Sequence, residues 1–388
     1  MPQGLRKRLQ IIFFGGINLY VKKLKFRGGI FKMKLKKLVS FVSAVTMTAV
    51  CLAGCGSTAG SSSSQGSVSE SVSASASAET SSDTESTDAV NVSLLKGPTG
   101  MGAVMLMKDQ EEGQSEGNYN FTIESAADDV VSKVINGETD IAAVPSNAAA
   151  ALYNKTEGNI EIAAVNAMGM LYYLQTGDDV NSVTDLAGKT ITSSGQGAVP
   201  EYVLNYILEK SGTENVTVNY MQTHQELATA AAAGEVDDVI LPEPFVEIAL
   251  AKNPNLRVAL DISKCYDEYT TGVEEKEDMP NSLPMGALIV RKDFAESNPQ
   301  AVDTFLKEYE KSVAEVNSDP QTAAEYVVKY GILDSQPIAE KAIPKSSIYY
   351  IDGEEMKNIM TNFLDVMNNA NPKSIGGKMP DDNFYYTK

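Results

Sequence analysis

Side chains able to do covalent or metal chemistry are scarce in this chain. Its 388 residues contain one histidine, His224, and three cysteines, Cys51, Cys55 and Cys265. A Ser/His/Asp set can be assembled only through His224, and no His or Cys spacing matches a metal site. What recurs is hydrogen-bonding chemistry at glycine- and proline-rich turns. These are Gly97-Pro98-Thr99-Gly100-Met101-Gly102, Pro145-Ser146-Asn147, Ser193-Ser194-Gly195-Gln196-Gly197-Ala198 and Pro242-Glu243-Pro244-Phe245. Glycines let the backbone bend sharply and approach a ligand, and a helix opening at such a turn offers free N–H groups. Lys and Ser/Thr do not follow the first turn at phosphate-loop spacing, and no cofactor or metal is expected. The pattern is that of a site that binds a small polar molecule.

The elements that must carry these turns are short apolar runs alternating with helical patterns. Val92 to Leu95 precedes a Met/Leu-rich helix from about Gly100, Tyr119 to Ile123 precedes a helix over Asp128 to Ile135, and Ile141 to Val144 precedes one over Ala148 to Tyr153. This rhythm predicts an α/β fold with a mostly parallel sheet. Ile160 to Leu174 is longer and broken by Gly169, which reads as two strands or a strand leaving the domain. Further strands are expected at Val216 to Tyr220, Ile240-Leu241 and Leu256 to Leu260, with helices over Pro200 to Leu208, His224 to Ala233 and after Phe245. Residues 265 to 282 are charged and patternless and read as a surface loop. Met285 to Val290 is a fully apolar strand, read as a return to the first lobe paired with Met170 to Leu174, and three helical stretches are expected from Pro299 onward.

Two places share the pattern G-E-x-D-x-x-x-[VL]-P, at Gly137 to Pro145 and Gly234 to Pro242. Gly97 lies 40 residues upstream of the first copy and Gly195 lies 39 upstream of the second. A turn, helix, strand, helix and motif therefore recur in one order at one spacing, which points to two similar α/β lobes. In each copy the Gly ends a helix, the Asp precedes a buried strand, and the Pro stops the strand and starts the next helix. Ligands of open α/β sheets collect beyond the carboxyl ends of strands. Two lobes would then face each other across a cleft.

Candidate ligand-binding residues from the first lobe are Thr99, Gly100, Met101, Ser146, Asn147, Asn166, Met168 and Gly169. The second lobe contributes Ser193, Ser194, Gln196, Gly197, Ala198, Glu243 and Phe245. Ser, Asn and Gln with helix N-terminal N–H groups suit an oxyanion or a polar heterocycle. Glu243 pulls toward an amine or ring N–H, or else serves only as a helix N-terminal acid. Tyr153, Tyr172 and Tyr173 are stacking residues or core, Lys96 is a buried-edge positive charge for an anion or a solvated lysine, and His224 is surface or a cap. Cys265 reads as structural.

The N-terminal region addresses the chain elsewhere. Met33-Lys34-Leu35-Lys36-Lys37, the apolar Leu38 to Leu52 and then Ala53-Gly54-Cys55 make a secretory signal over residues 33–54. Met33 is the better start, because residues 1–32 form an awkward leader and Arg27-Gly28-Gly29 fits a translated ribosome-binding site. Peptides from Leu9 to Lys25 in cells would overturn that expectation. Residues 55–90 are Ser-rich without aromatics and read as a flexible tether reaching roughly 30 Å. From residue 55 onward 21 basic residues face 51 acidic ones, a net of −30. Such a body is not built to hold nucleic acid.

Leu52-Ala53-Gly54-Cys55 resembles the lipobox of bacterial lipoproteins, in which the cysteine becomes the lipid-modified N-terminus. Several further stretches carry a wider resemblance: the serine tether, the two repeated lobes, Gly97-Pro98-Thr99-Gly100, Pro145-Ser146-Asn147, Pro242-Glu243-Pro244-Phe245, Val290-Arg291-Lys292-Asp293-Phe294 and Asn371-Pro372-Lys373-Ser374-Ile375-Gly376-Gly377. Together they resemble solute-binding lipoproteins of ABC importers, of the nitrate/sulfonate/taurine and thiamine-precursor type. The resemblance implies a two-lobed periplasmic-binding-protein fold of type II. Residues 91–174 and 285–388 would form lobe one and residues 175–284 lobe two, joined by a two-strand hinge. It also implies a monomer, held on the extracytoplasmic face of the cell membrane by lipid on Cys55, that captures a small solute and delivers it to permease subunits. The alternatives are a thiamine-pyrimidine-synthase-like enzyme and a solute receptor for a membrane sensor. The synthases resemble a lysine-bound cofactor site with a histidine and a cysteine cluster, and that pattern is missing here.

Overall fold

The computed structural model describes residues 89–270 and 282–387. The chain divides into units Met1–Thr80 and Ser81–Lys388, and all described residues belong to the second. The expected signal, the lipidated Cys55, almost all of the tether and most of the 265–282 loop lie outside the described residues.

Eleven strands among the described residues build two sheets. They are β1 (Val90–Leu95), β2 (Tyr119–Glu124), β3 (Ile141–Pro145), β4 (Ile160–Met168), β5 (Leu171–Gln175), β6 (Thr190–Ser194), β7 (Thr217–Met221), β8 (Asp238–Pro242), β9 (Arg257–Asp261), β10 (Pro284–Arg291) and β11 (Ile348–Ile351). The first sheet runs β11-β4-β10-β3-β1-β2 and the second β7-β6-β8-β5-β9. In each, the outer strands of a β-α-β-α-β unit run parallel, and one strand arriving from the other half of the chain inserts antiparallel: β10 between β3 and β4, β5 between β8 and β9. The two sheets thus have the same order apart from the added edge strand β11.

The repeated motif makes the same joint twice. Gly137 and Gly234 both hold positive φ, 75° and 72°, at the ends of helices Ala127–Ile135 and His224–Ala233, a conformation glycine adopts without Cβ strain. The Asp140 carbonyl accepts from Arg291 N at 2.9 Å, and the Asp237 carbonyl accepts from Thr176 N at 3.2 Å. Each aspartate therefore ties the start of its parallel strand to the end of the inserted one. In the first copy the helix starts directly after Pro145, whereas in the second Glu243 and Pro244 intervene before Phe245. That two-residue difference is what gives the second lobe a carboxylate at this position.

Three expectations are corrected. Met285 to Val290 pairs with β3 and β4 and not with Met170 to Leu174, because β5 is already flanked by β8 and β9. Part of the expected 265–282 loop is the helix Ile262–Tyr269. Asp261 caps it by accepting from Ser263 N and Lys264 N, and Ile262, Cys265 and Tyr266 bury one face at i, i+3, i+4 spacing. Beyond Pro299 there are four helices, Pro299–Ser318, Pro320–Lys329, Gln336–Ala342 and Gly353–Ala370, plus β11, too short at four residues to show a period.

The chain passes from the first sheet to the second at Gly169-Met170, and β10 lies in the first sheet again. Helix Gly353–Ala370 buries Met356, Ile359, Met360, Phe363, Leu364 and Met367 and touches elements of both lobes, including helices Ser146–Lys155 and Val199–Ser211. A large apolar contact of this kind holds the lobes together on one side of the crossover.

Candidate functional site

The first lobe gathers its candidates around Gly286. This residue pairs with Pro145 on one side and Ala167 on the other. A Cβ there would lie 2.5 Å from Thr99 Cγ2 and 2.6 Å from Asn166 Oδ1, so only glycine admits both side chains. Asn166 Nδ2 donates to the Thr99 carbonyl at 3.0 Å and to the Tyr309 hydroxyl at 3.1 Å. Ser146 opens the helix after β3 and is fully buried, with no partner for its hydroxyl. Asn147 Nδ2 donates to the Ser374 carbonyl at 3.3 Å, and its oxygen is unpartnered.

The crossover is pinned from both sides. Met168 N donates to the Ser347 carbonyl at 2.9 Å, and Ser347 Oγ donates to the Gly169 carbonyl at 2.9 Å. Leu171 N donates to Ser263 Oγ at 3.2 Å, and Glu243 N donates to the Met170 carbonyl at 3.0 Å. Glu243 therefore sits at the joint between lobes, and it is 1% exposed. Its Oε2 accepts from Glu247 N at 3.3 Å, while Oε1 has no partner. Burial first, and the Glu247 carboxylate next, push its pKa up to about 8, against the pull of the Glu247 N–H and Lys345. Lys345 reaches across from the first lobe to an ion pair with Glu247, whose side chain is 7% exposed. Helix Gln336–Ala342 packs on Phe245–Lys252 beside it. Burial, Asp261 and Glu243 together raise the Tyr172 hydroxyl.

In the second lobe Ser194 and His224 Nδ1 share a hydrogen bond of 2.6 Å, and the His224 ring lies 5.4 Å from that of Phe245. His224 is thus half-buried and not a surface group, and the cap of its helix is Thr223, which accepts from Glu226 N at 3.1 Å. Desolvation pulls its pKa down to about 4. Its hydrogen-bond partner is Ser194 and its ring neighbour Phe245. Ser193 is buried, whereas Gln196 and Gly197 are exposed and Ala198 half-buried.

Several sequence candidates belong to the core instead. Met101 and Met168 are fully buried among apolar side chains. Gly100 is a packing glycine, since a Cβ would lie 2.2 Å from the Leu95 carbonyl oxygen. Tyr153 bonds Asp381 at 2.6 Å, and Tyr173 bonds Asp238. Cys265 is 8% exposed, and burial pushes its thiol up to about 11, so it stays protonated at neutral pH. Lys96 is exposed. Gly286, Ser263, Lys345, Glu247 and Ser347 carry no motif that marks them in the sequence, since each acts through a partner far away in the chain.

The family described as NMT1/THI5 like matches residues 120–323. The chain belongs to the NMT1/THI5-like family. Among solved structures it is similar to an ABC transporter from Parabacteroides distasonis, at 23% identity and a TM-score of 0.64, covering 77% of this chain and 99% of that one. It is also similar to the periplasmic aliphatic sulphonate binding protein SsuA from Escherichia coli, at 15% identity and a TM-score of 0.61, covering 78% and 93%. A Candida albicans gene product with the generic periplasmic binding protein structural fold aligns at 15% identity and a TM-score of 0.51, covering 74% and 93%. The curated proteins hold no match. At these identities the likeness is one of fold, and this NMT1/THI5-like chain has the two-lobed periplasmic binding protein fold.

Proposed function

We propose that this NMT1/THI5-like protein is an extracytoplasmic solute-binding lipoprotein, anchored through Cys55, that captures a small polar solute between its lobes and passes it to an ABC importer. The observation that carries the reading is that residues ending or following strands of both lobes hold buried polar atoms without partners: Ser146 Oγ, Asn147 Oδ1, Asn166 Oδ1 and Glu243 Oε1. Buried polar atoms in a folded protein are almost always paired. Such orphans near strand ends of both lobes support a site that a ligand completes. Contacts from both lobes also give the ligand its grip on lobe closure, since a solute touching one lobe equally in open and closed forms shifts nothing. A micromolar solute supplies roughly −8 kcal/mol.

From the second lobe Ser194, His224 and Phe245 lie together, and Phe245 would offer an apolar surface to a solute's body. The Ser194–His224 pair, with Phe245 beside the ring, supports a hydroxyl held for binding and so a binding protein over a synthase. The test is native purification with mass spectrometry of any released small molecule, followed by a melting-temperature screen. A ligand at 100 times its dissociation constant adds about 2.7 kcal/mol of stability. Turnover of a candidate molecule without any binding-linked stabilisation would refute the proposal.

A further inference from the structure

The repeated motif makes one joint twice, and the two copies differ in what covers it. In the first lobe the inserted strand ends at Arg291, whose N–H meets the Asp140 carbonyl. Its guanidinium folds back over the joint. Nη2 lies 3.4 Å from Asp140 Oδ1, and Nη1 lies 2.6 Å from where a Cβ on Gly137 would stand. Asp140 is buried beneath it, and the cation sits at the negative end of the helix that Gly137 closes.

In the second lobe the residue at the same register is Thr176, whose N–H meets the Asp237 carbonyl. Its hydroxyl donates to Asp237 Oδ1 at 3.0 Å, and no heavy atom comes within 4 Å of a Cβ built on Gly234. Where the first lobe holds a guanidinium, the second has a pocket of about 560 Å³ lined by Thr176, Gly234, Asp237, Asn253 and the helix-end residues Ala232 and Ala233.

The lining suits a cation. No lysine or arginine belongs to it; Arg257, on the neighbouring strand β9, donates instead to the carbonyls of Gly177 and Val180. The Ala230 and Ala231 carbonyls accept from Glu235 N and Gly234 N. The last two carbonyls of the helix, Ala232 and Ala233, then have no donor among the described residues. Asn253, 7% exposed, fixes the wall by donating to the Ala231 carbonyl at 2.9 Å and accepting from Asn255 N at 3.1 Å.

We propose that this pocket binds a guanidinium group from outside the chain, free or on an arginine of a partner protein, in the place that Arg291 fills in the first lobe. A guanidinium is planar with donors along its edges, so one edge can meet the Asp237 carboxylate while another meets the helix-end carbonyls. The pocket is separate from the joint that holds Glu243, because Asp237 precedes β8 and Glu243 follows it, roughly 20 Å away along an extended strand.

The test follows the Gly234 amide by nuclear magnetic resonance in the full chain labelled at glycine, at constant ionic strength and millimolar probe. Methylguanidinium should shift it and methylammonium should not. Thr176→Arg supplies the group from the chain itself. It should raise the melting midpoint by about 2 °C, a gain that vanishes when Asp237→Asn is added, and it should abolish the methylguanidinium response. A blocked Gly-Arg-Gly peptide that binds at least tenfold tighter than methylguanidinium assigns the source to a partner protein; a peptide that binds no tighter assigns it to a free guanidino compound. The proposal is overturned by no response to methylguanidinium, by an equal response to methylammonium, by a response that survives Thr176→Arg in full, or by a midpoint that Thr176→Arg leaves unchanged or lowers.

Discussion

Replacing Glu243 with glutamine should change how stability depends on pH in a way that isolates one carboxyl group. In the folded protein this group holds its proton up to about pH 8, against an ordinary value of 4.5. Below 4.5 both folded and unfolded chains are protonated and the group contributes nothing. Between 4.5 and 8 the unfolded chain ionises while the folded one keeps its proton, so the native state binds more protons and stability falls as pH rises. Each pH unit in that window costs about 1.4 kcal/mol, on the order of 5 kcal/mol across it. Above 8 the loss is constant. Glutamine cannot titrate and retains an oxygen for the Glu247 N–H. The stability of Glu243→Gln minus that of the parent should therefore be near zero at pH 5 and rise to several kcal/mol in favour of the variant at pH 8. The chain has no tryptophan, so urea unfolding is followed by far-ultraviolet circular dichroism at pH 5, 6.5 and 8. Differencing the two proteins cancels the other titrating groups. A flat difference would mean that Glu243 is ionised and compensated in the native state, and the reasoning about its free oxygen would fail.

Gly100→Ala should destabilise the protein by about 3 kcal/mol in urea unfolding, because its Cβ meets the backbone oxygen of Leu95. Gly197→Ala, with φ 76° and nothing within 4 Å, should cost only about 1 kcal/mol in the same assay. Lys345→Met leaves the Glu247 carboxylate buried without its cation and should cost about 1 to 2 kcal/mol, discounted because the Lys345 side chain is 52% exposed; adding Glu247→Gln should restore most of it. His224, held near 4 against an ordinary 6.5, contributes stability that is full above pH 6.5 and lost as pH falls toward 4. His224→Asn should flatten that acid limb in melting curves taken between pH 4 and 7.

The two-lobed α/β plan was readable before any coordinates, because it rests on local signals. Gly137 and Gly234 stop helices, Pro145 and Pro242 stop strands, and their repetition at matched spacing shows two copies of one unit. The turns that supply Thr99, Ser146, Ser194 and Glu243 are local too, and so was the mixed character of Glu243. What these residues become is not local. Gly100 sits in a site-like turn yet packs on Leu95, whereas Gly286, inside an apolar strand with no site-like motif, is the residue that lets Thr99 and Asn166 meet. His224 opens an exposed-looking helix, and only its position beside Ser194 and Phe245 buries it. Pairing partners such as Ser347 with Gly169, or Lys345 with Glu247, join residues 178 and 98 positions apart in the chain. Periodicity and turn chemistry report only on neighbours a few residues away. Which buried oxygen is left without a donor is decided by everything packed around it, and only the tertiary structure contains that.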